Sequence, residues 1–256
     1  MKPHLAALIL ALAPLGALVV GDAHAASGKS KSKSQDGFVS LFNGKDLTGW
    51  KAPDGDNGHW KVTSGVIDYD ARSEAAGDKN LWSEKEYKDF VLKIDWRIKE
   101  TSGLYPVPTV LPDGSEKLGP DGKMLTTPMA NADSGIYLRG TSKAQLNIWC
   151  WPIGSGEVYG YRRDQKMPPA VRAGVTPKVH ADKPVGQWNT FEITMKGDRL
   201  TVVLNGRKVL DNAQLPDLPA SGKLALQHHG GWDEKAKKYK PASSLVQFRN
   251  ISIKEL

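Results

Sequence analysis

The residues best suited to chemistry come in alternating runs. In Gly135-Ile136-Tyr137-Leu138-Arg139 the phenol and guanidinium fall on one side of a strand and the aliphatic residues on the other. In Gln145-Leu146-Asn147-Ile148-Trp149-Cys150 two amides and an indole share a side, opposite Leu146, Ile148 and Cys150. Amide, guanidinium and phenol groups hydrogen-bond hydroxyls, and an indole face packs on the C–H surface of a sugar. These stripes predict a sheet face that holds a polyhydroxylated ligand. A third run, Leu224-Ala225-Leu226-Gln227-His228-His229-Gly230, supplies imidazoles, which exchange protons near neutral pH. Alternation sets Gln227 and His229 on the polar side and turns His228 toward the core or the strand end.

Charged groups complete the candidate set. Phe90, Leu92, Ile94, Trp96 and Ile98 form an apolar stripe, and Lys93, Asp95 and Arg97 face the other way. That second stripe is either a solvated face or part of the ligand face, with Asp95 and Arg97 as contacts. Arg139 and Arg97 could hold an anionic oxygen or sugar hydroxyls, or pair with Asp95 or Glu157. Glu157 follows the Trp149 strand within the Gly-rich run Gly156–Asp164, which is expected to emerge at the rim of the face. It is either a base, a metal ligand or an ordinary solvated glutamate. A divalent cation held by Glu157, His229 and a third oxygen or nitrogen ligand would stabilise negative charge on a substrate oxygen, although no compact ligand spacing marks a metal site. The single cysteine, Cys150, excludes an intramolecular disulfide and reads as a buried thiol.

The elements that must position these groups read as strands. Short apolar or alternating runs recur between Gly, Pro, Asn and Asp, and helical periodicity is nearly absent. Lys196-Gly197-Asp198-Arg199 and Asn205-Gly206 predict hairpin turns. Many short strands with turns between them favour an all-β sandwich or jelly roll, with antiparallel sheets, over βαβ architecture. Two long Pro- and Gly-rich loops, 101–133 and 154–184, interrupt the pattern, and loops of that length in a compact domain are often functional. Trp149 and Trp151 are the expected sugar platforms; Trp50, Trp60, Trp82, Trp96 and Trp188 are expected in the core.

Residues 1–25 read as an export signal: Lys2, a mostly apolar run from Leu5 to Val20, and the small-residue site Ala23-His24-Ala25. A retained N-terminal anchor is the alternative, although the run is short for a membrane span. Residues 26–36 read as a flexible Ser/Lys linker, and 37–256 as one domain. The expected location is periplasmic or secreted, without stable membrane insertion after signal cleavage. The net charge of +7 comes largely from lysines in the linker and in loop-like stretches, not from a helix bearing a nucleic-acid motif. Nucleic acid is therefore not an expected partner, and the oligomeric state is left open.

Phe38-Val39-Ser40-Leu41-Phe42-Asn43-Gly44-Lys45-Asp46-Leu47-Thr48-Gly49-Trp50 resembles the N-terminal signature of the 3-keto-disaccharide hydrolase family. Similar motifs follow at Asp89–Arg97, Asn131–Arg139, Val185–Asn189, Leu226–Gly230 and Val246–Lys254. The resemblance implies a concanavalin A-like jelly roll, an exported location and a carbohydrate substrate oxidised at C3. Many members carry an acidic residue in a Gln-Ile-x-Asp-like strand. Here that strand reads Gln145-Leu146-Asn147-Ile148, so Asp164, Glu157 or Asp95 is expected to supply the charge.

A 3-keto sugar has an acidic C2–H, because the carbanion delocalises into the ketone. Removing that proton expels the C1 oxygen by elimination, and addition of water completes a net hydrolysis. The reaction needs a base, a stabiliser for the enolate oxygen and an acid for the leaving group. The expected catalytic set is His229, Glu157 and Arg139. The expected substrate contacts are Asp95, Arg97, Tyr137, Gln145, Asn147, Trp149 and Gln227. Two rival readings are a non-catalytic carbohydrate-binding domain and an ordinary glycoside hydrolase on the same fold. The second of these would use a carboxylate pair, and no Glu-x-Asp-x-Glu strand is present.

Overall fold

The computed structural model describes residues 36–256. The expected signal over 1–25, and the expected linker except Asp36, lie outside the described residues. In chain order the strands are β1 (Val39–Ser40), β2 (Trp50–Lys51), β3 (Trp60–Thr63), β4 (Val66–Tyr69), β5 (Leu81–Tyr87) and β6 (Phe90–Ile98). Then come β7 (Leu104–Pro108), β8 (Thr126–Ala130), β9 (Asp133–Leu138) and β10 (Thr141–Trp149). Two short helices follow, α1 (Tyr159–Arg163) and α2 (Pro169–Gly174). The remaining strands are β11 (Asn189–Lys196), β12 (Arg199–Leu204), β13 (Arg207–Gln214), β14 (Gly222–Leu226), β15 (Trp232–Asp233), β16 (Lys238–Tyr239) and β17 (Val246–Glu255).

Two antiparallel sheets make the jelly-roll sandwich. The larger has eight strands in the order β13-β12-β11-β6-β17-β4-β3, with β1 added beside β17. The smaller has five, in the order β10-β9-β14-β5-β2. Their inner faces share one hydrophobic core: Phe90, Leu92, Ile94, Trp96, Phe191, Ile193 and Phe248 meet Leu81, Ile136, Leu138, Leu146, Ile148, Leu224 and Leu226. Alternation dictates this, since a strand buried on one face must place every second residue in the core. The two hairpin turns form as expected: β11 joins β12 through Gly197, and β12 joins β13 through Asn205 and Gly206, all at positive φ.

The long segments differ from the expectation of structureless loops. Residues 101–133 contain the β7–β8 hairpin, in register from Leu104↔Ala130 to Pro108↔Thr126. Its Val107 packs with Trp149 and Trp151 in a small second cluster. Residues 154–184 return along the edge of β10, where Leu146 bridges Val158, and then form the two helices. Among the described residues, no helix is long and apolar enough to cross a membrane.

Candidate functional site

Register across the five-stranded sheet decides which polar groups meet. Asp133 lies opposite Trp149, Gly135 opposite Asn147, and Tyr137 opposite Gln145. Residues directly opposite in antiparallel strands project from the same face. Here it is the outer face, because Ile136, Leu146 and Ile148 point into the core. Gln227 and His229 continue the outward set just beyond β14. Gln145, Asn147, Trp149, Gln227 and His229 therefore line one cavity of about 170 Å³ together with Asp133, Trp151, Tyr105 and Tyr159.

One wall is aromatic. Trp149 and Trp151 stack with centroids 3.8 Å apart. Tyr159 stands edge-on to both, at 6.2 and 6.5 Å, and Tyr105 lies 6.3 Å from Trp151. Trp149 is fixed by donating from Nε1 to the Gly154 carbonyl at 2.7 Å. The two indoles are expected sugar platforms; both are nearly buried and act as the cavity wall, while Tyr105 and Tyr159 arrive from the β7–β8 hairpin and α1.

The opposite wall is polar and oriented. Gln145 Nε2 donates to Asn147 Oδ1 at 2.5 Å and to Gln227 Oε1 at 2.6 Å. That amide network leaves Gln145 Oε1 as acceptor and the Asn147 and Gln227 amide N–H groups as donors for a ligand. Gly135 makes room for it: a Cβ there would sit 2.7 Å from Gln145 Cγ and Nε2. Tyr137 lies beside the cavity on the same face, directly opposite Gln145.

His229 Nδ1 is 2.8 Å from the Ala242 carbonyl. A carbonyl only accepts, so Nδ1 carries the hydrogen and Nε2 of the neutral ring is left as the basic nitrogen. The His229 backbone N–H donates to Ser244 Oγ at 2.7 Å, and Ser244 Oγ donates to the Asp133 carbonyl at 2.6 Å. One buried serine thus ties the backbones of His229 and Asp133 together. Burial pushes the Asp133 carboxyl up to about 7, against the opposing pull of His229. Its Oδ1 is buried without a hydrogen-bond partner. His228 behaves differently, as alternation predicts: its Nδ1 accepts from the Tyr69 hydroxyl at 2.6 Å, and burial holds the imidazole down at about 4. It is a neutral, half-buried acceptor.

Four expected members of the site are placed elsewhere. Arg139 falls one residue past β9 with φ of +49°, which turns its side chain away from the Tyr137 stripe. It is 3% exposed and bound to Asp89 at 2.9 Å and to the Lys88 and Pro219 carbonyls. Glu157 is 0% exposed and pairs with Arg162 of α1. Its backbone adds to the β10 edge, accepting from Asn147 N–H at 2.9 Å, so it is not a rim carboxylate. The expected cation ligands Glu157 and His229 are therefore not assembled, and among the described residues no three His, Cys, Asp or Glu side chains gather as a metal site. Asp95 and Arg97 belong to β6, in the other sheet. Asp95 binds Thr190, Arg249 and Asn250; Arg97 binds Gln247 and lies over the Trp188 ring.

The carboxylate that lines the cavity beside Gln145 and Asn147 is Asp133; Asp164, Glu157 and Asp95 lie outside its lining. Asp164 pairs with Lys143 at 2.9 Å. Sequence reasoning ended the loop at Asp133 and missed it. The available signal was its parity with Gly135 and Tyr137, which puts it on the outer face. Trp82 and Trp188 were also expected in the core and are only half-buried.

Residues 37–254 match the family described as the 3-keto-alpha-glucoside-1,2-lyase-like domain. Among solved structures, the fold is similar to candidate glycosyl hydrolases from Parabacteroides distasonis ATCC 8503. One matches at 20% identity and a TM-score of 0.54, over 86% of this chain and 84% of that one. Another matches at 23% identity and a TM-score of 0.50, over 88% and 99%. No match was found among curated proteins.

Proposed function

From the premise that the chain belongs to the 3-keto-alpha-glucoside-1,2-lyase-like family, we propose that it cleaves glycosides oxidised at C3 by elimination followed by hydration. Its membership and its fold support an enzyme that acts on glycosides. The observation that carries the finer reading is the pairing of Asp133 and His229 in one small cavity walled by amides and indoles.

Each step has a group suited to it. His229 Nε2 takes the C2 proton, while the Ala242 carbonyl holds the imidazole tautomer. The electron pair passes into the C3 ketone, and the Asn147 and Gln227 amides donate to the enolate oxygen. Asp133, with a carboxyl near 7, retains a proton near neutral pH and gives it to the departing C1 oxygen. A buried carboxyl that keeps its proton, beside an imidazole whose Nε2 is left without one, makes an acid–base pair. Water then adds to the unsaturated sugar, with the protons returned along the same route. The expected location is outside the cytoplasm.

The test is an assay of the purified protein on matched 3-keto and native disaccharides, with and without chelator, in deuterated water. The expected result is turnover of the 3-keto substrate alone, with deuterium at C2 of recovered sugar. Equal cleavage of the native disaccharide points to an ordinary glycosidase, and binding without turnover to a carbohydrate-binding domain; either sinks the proposal.

A further inference from the structure

The cavity around His229 is small for a whole glycoside. Its roughly 170 Å³ falls below the range of about 300–1,000 Å³ common for ligand pockets. A second opening of about 600 Å³ lies on the same outer sheet face, around Trp82, Asp78, Glu86 and Lys223. Register connects the two. Gln145, Tyr137, Ala225, Trp82 and Lys51 lie side by side across β10, β9, β14, β5 and β2. Three strand spacings separate Gln145 from Trp82, roughly 14 Å, a span suited to two linked pyranose rings.

The path between them is continuous. Tyr137 stands directly opposite Gln145 of the small cavity, across β9 and β10. Its ring meets Trp82 edge-on at 5.9 Å, over the fully buried Ala225. Trp82 is half-buried, and its Nε1 donates to Asp78, so the indole is fixed at the opening. The opening is lined by Lys51, Lys223 and Arg139 and by Asp54, Asp78 and Glu86, so it carries no surplus of cations. Arg139 is already neutralised by Asp89. An anionic sugar would need a surplus of cations, whereas a neutral ring needs a stacking face and hydroxyl partners.

We propose that this opening is the subsite for the leaving half of the substrate, and that this half is a neutral sugar ring stacked on Trp82. The proposal rests on the cavity around His229 being the reacting end. Its test compares Trp82→Ala with wild type on a 3-keto-disaccharide and on methyl 3-keto-glucoside, which lacks the second ring. Loss of one stacked ring should raise KM for the disaccharide about tenfold more than for the methyl glycoside. Equal changes for both substrates, or none, overturn the subsite. If Trp82→Ala does not fold, Trp82→Leu keeps bulk, removes the π face and is read in the same way. If the wild-type protein turns over neither 3-keto substrate, the reading of the reacting end fails, and the subsite is judged by titration with maltose and glucose. Tighter binding of maltose that the Trp82 variant abolishes upholds it; equal binding of the two sugars, or none, overturns it.

Discussion

Two adjacent histidines separate structure from chemistry at the scale of single residues. His229 offers Nε2 to the cavity, and His228 accepts from Tyr69 beneath the sheet edge. His229→Ala should lower turnover of a 3-keto-disaccharide about a hundredfold, the scale for losing one acid–base group, with a near-native melting temperature. His228→Ala should cost about 1–3 kcal/mol of stability by orphaning the Tyr69 hydroxyl, with less effect on rate. Rate constants and melting curves for both variants decide it; near-native turnover without His229 removes it from the mechanism. Asp133 adds a pH signature. Between its ordinary 3.8 and about 7 the folded chain keeps a proton that the unfolded chain has released. Stability from this group therefore falls as pH rises through that window and is level above it. His228, held down at about 4, has the opposite slope below its ordinary 6.5, but that slope is common to wild type and Asp133→Asn. Relative to Asp133→Asn, wild-type melting temperature should decline between pH 4 and 7. Parallel curves would show that Asp133 has an ordinary carboxyl.

Strand packing sets the next limit. Gly135 sits in mid-strand β9, where glycine weakens a sheet unless a side chain must pass close by. Gln145 is that side chain, and it lies across Gly135 to reach Gln227. Gly135→Ala would also press on the Leu146 carbonyl, 2.8 Å from the added methyl. A fall of about tenfold in kcat/KM is expected, the equivalent of one misdirected hydrogen bond, along with a loss of about 1–3 kcal/mol from overpacking. Kinetics on the folded fraction, judged by circular dichroism, test this; an unchanged kcat/KM means that the Gln145 amide need not be fixed. The same element also explains an error in the sequence reading. Alternation placed Tyr137 correctly and extended the stripe to Arg139, but the chain turns at Arg139 with positive φ. Periodicity holds only while the strand lasts, and local pattern does not say where a strand stops pairing.

For the whole molecule, the sandwich places the site on the smaller sheet and roofs it with the β7–β8 hairpin and α1. The first 25 residues carry an expected address for the domain. Intact-mass measurement of exported protein should give a chain beginning at Ala26, and a mass that includes residues 1–25 would overturn the export reading. Much of the architecture was legible in advance. Strand periodicity, turn glycines and family motifs are local properties, so the all-β sandwich, the inward Leu224–Leu226 face and the outward Gln145, Asn147, Gln227 and His229 could be read from the chain. What tertiary structure alone decided was which outward stripes share a sheet and what covers them. Asp95 and Arg97 alternate as cleanly as Gln145 and Asn147, yet pairing of β6 with β11 and β17 puts them in the opposite sheet. Glu157 looked like a rim carboxylate until its segment joined the β10 edge and its side chain met Arg162. Asp133 gained its raised carboxyl from burial beside His229, which is distant in sequence and adjacent only because β9 pairs with β14. Side-chain parity follows from the backbone of a single strand, whereas sheet membership, burial and proton affinity follow from contacts between segments far apart in the chain.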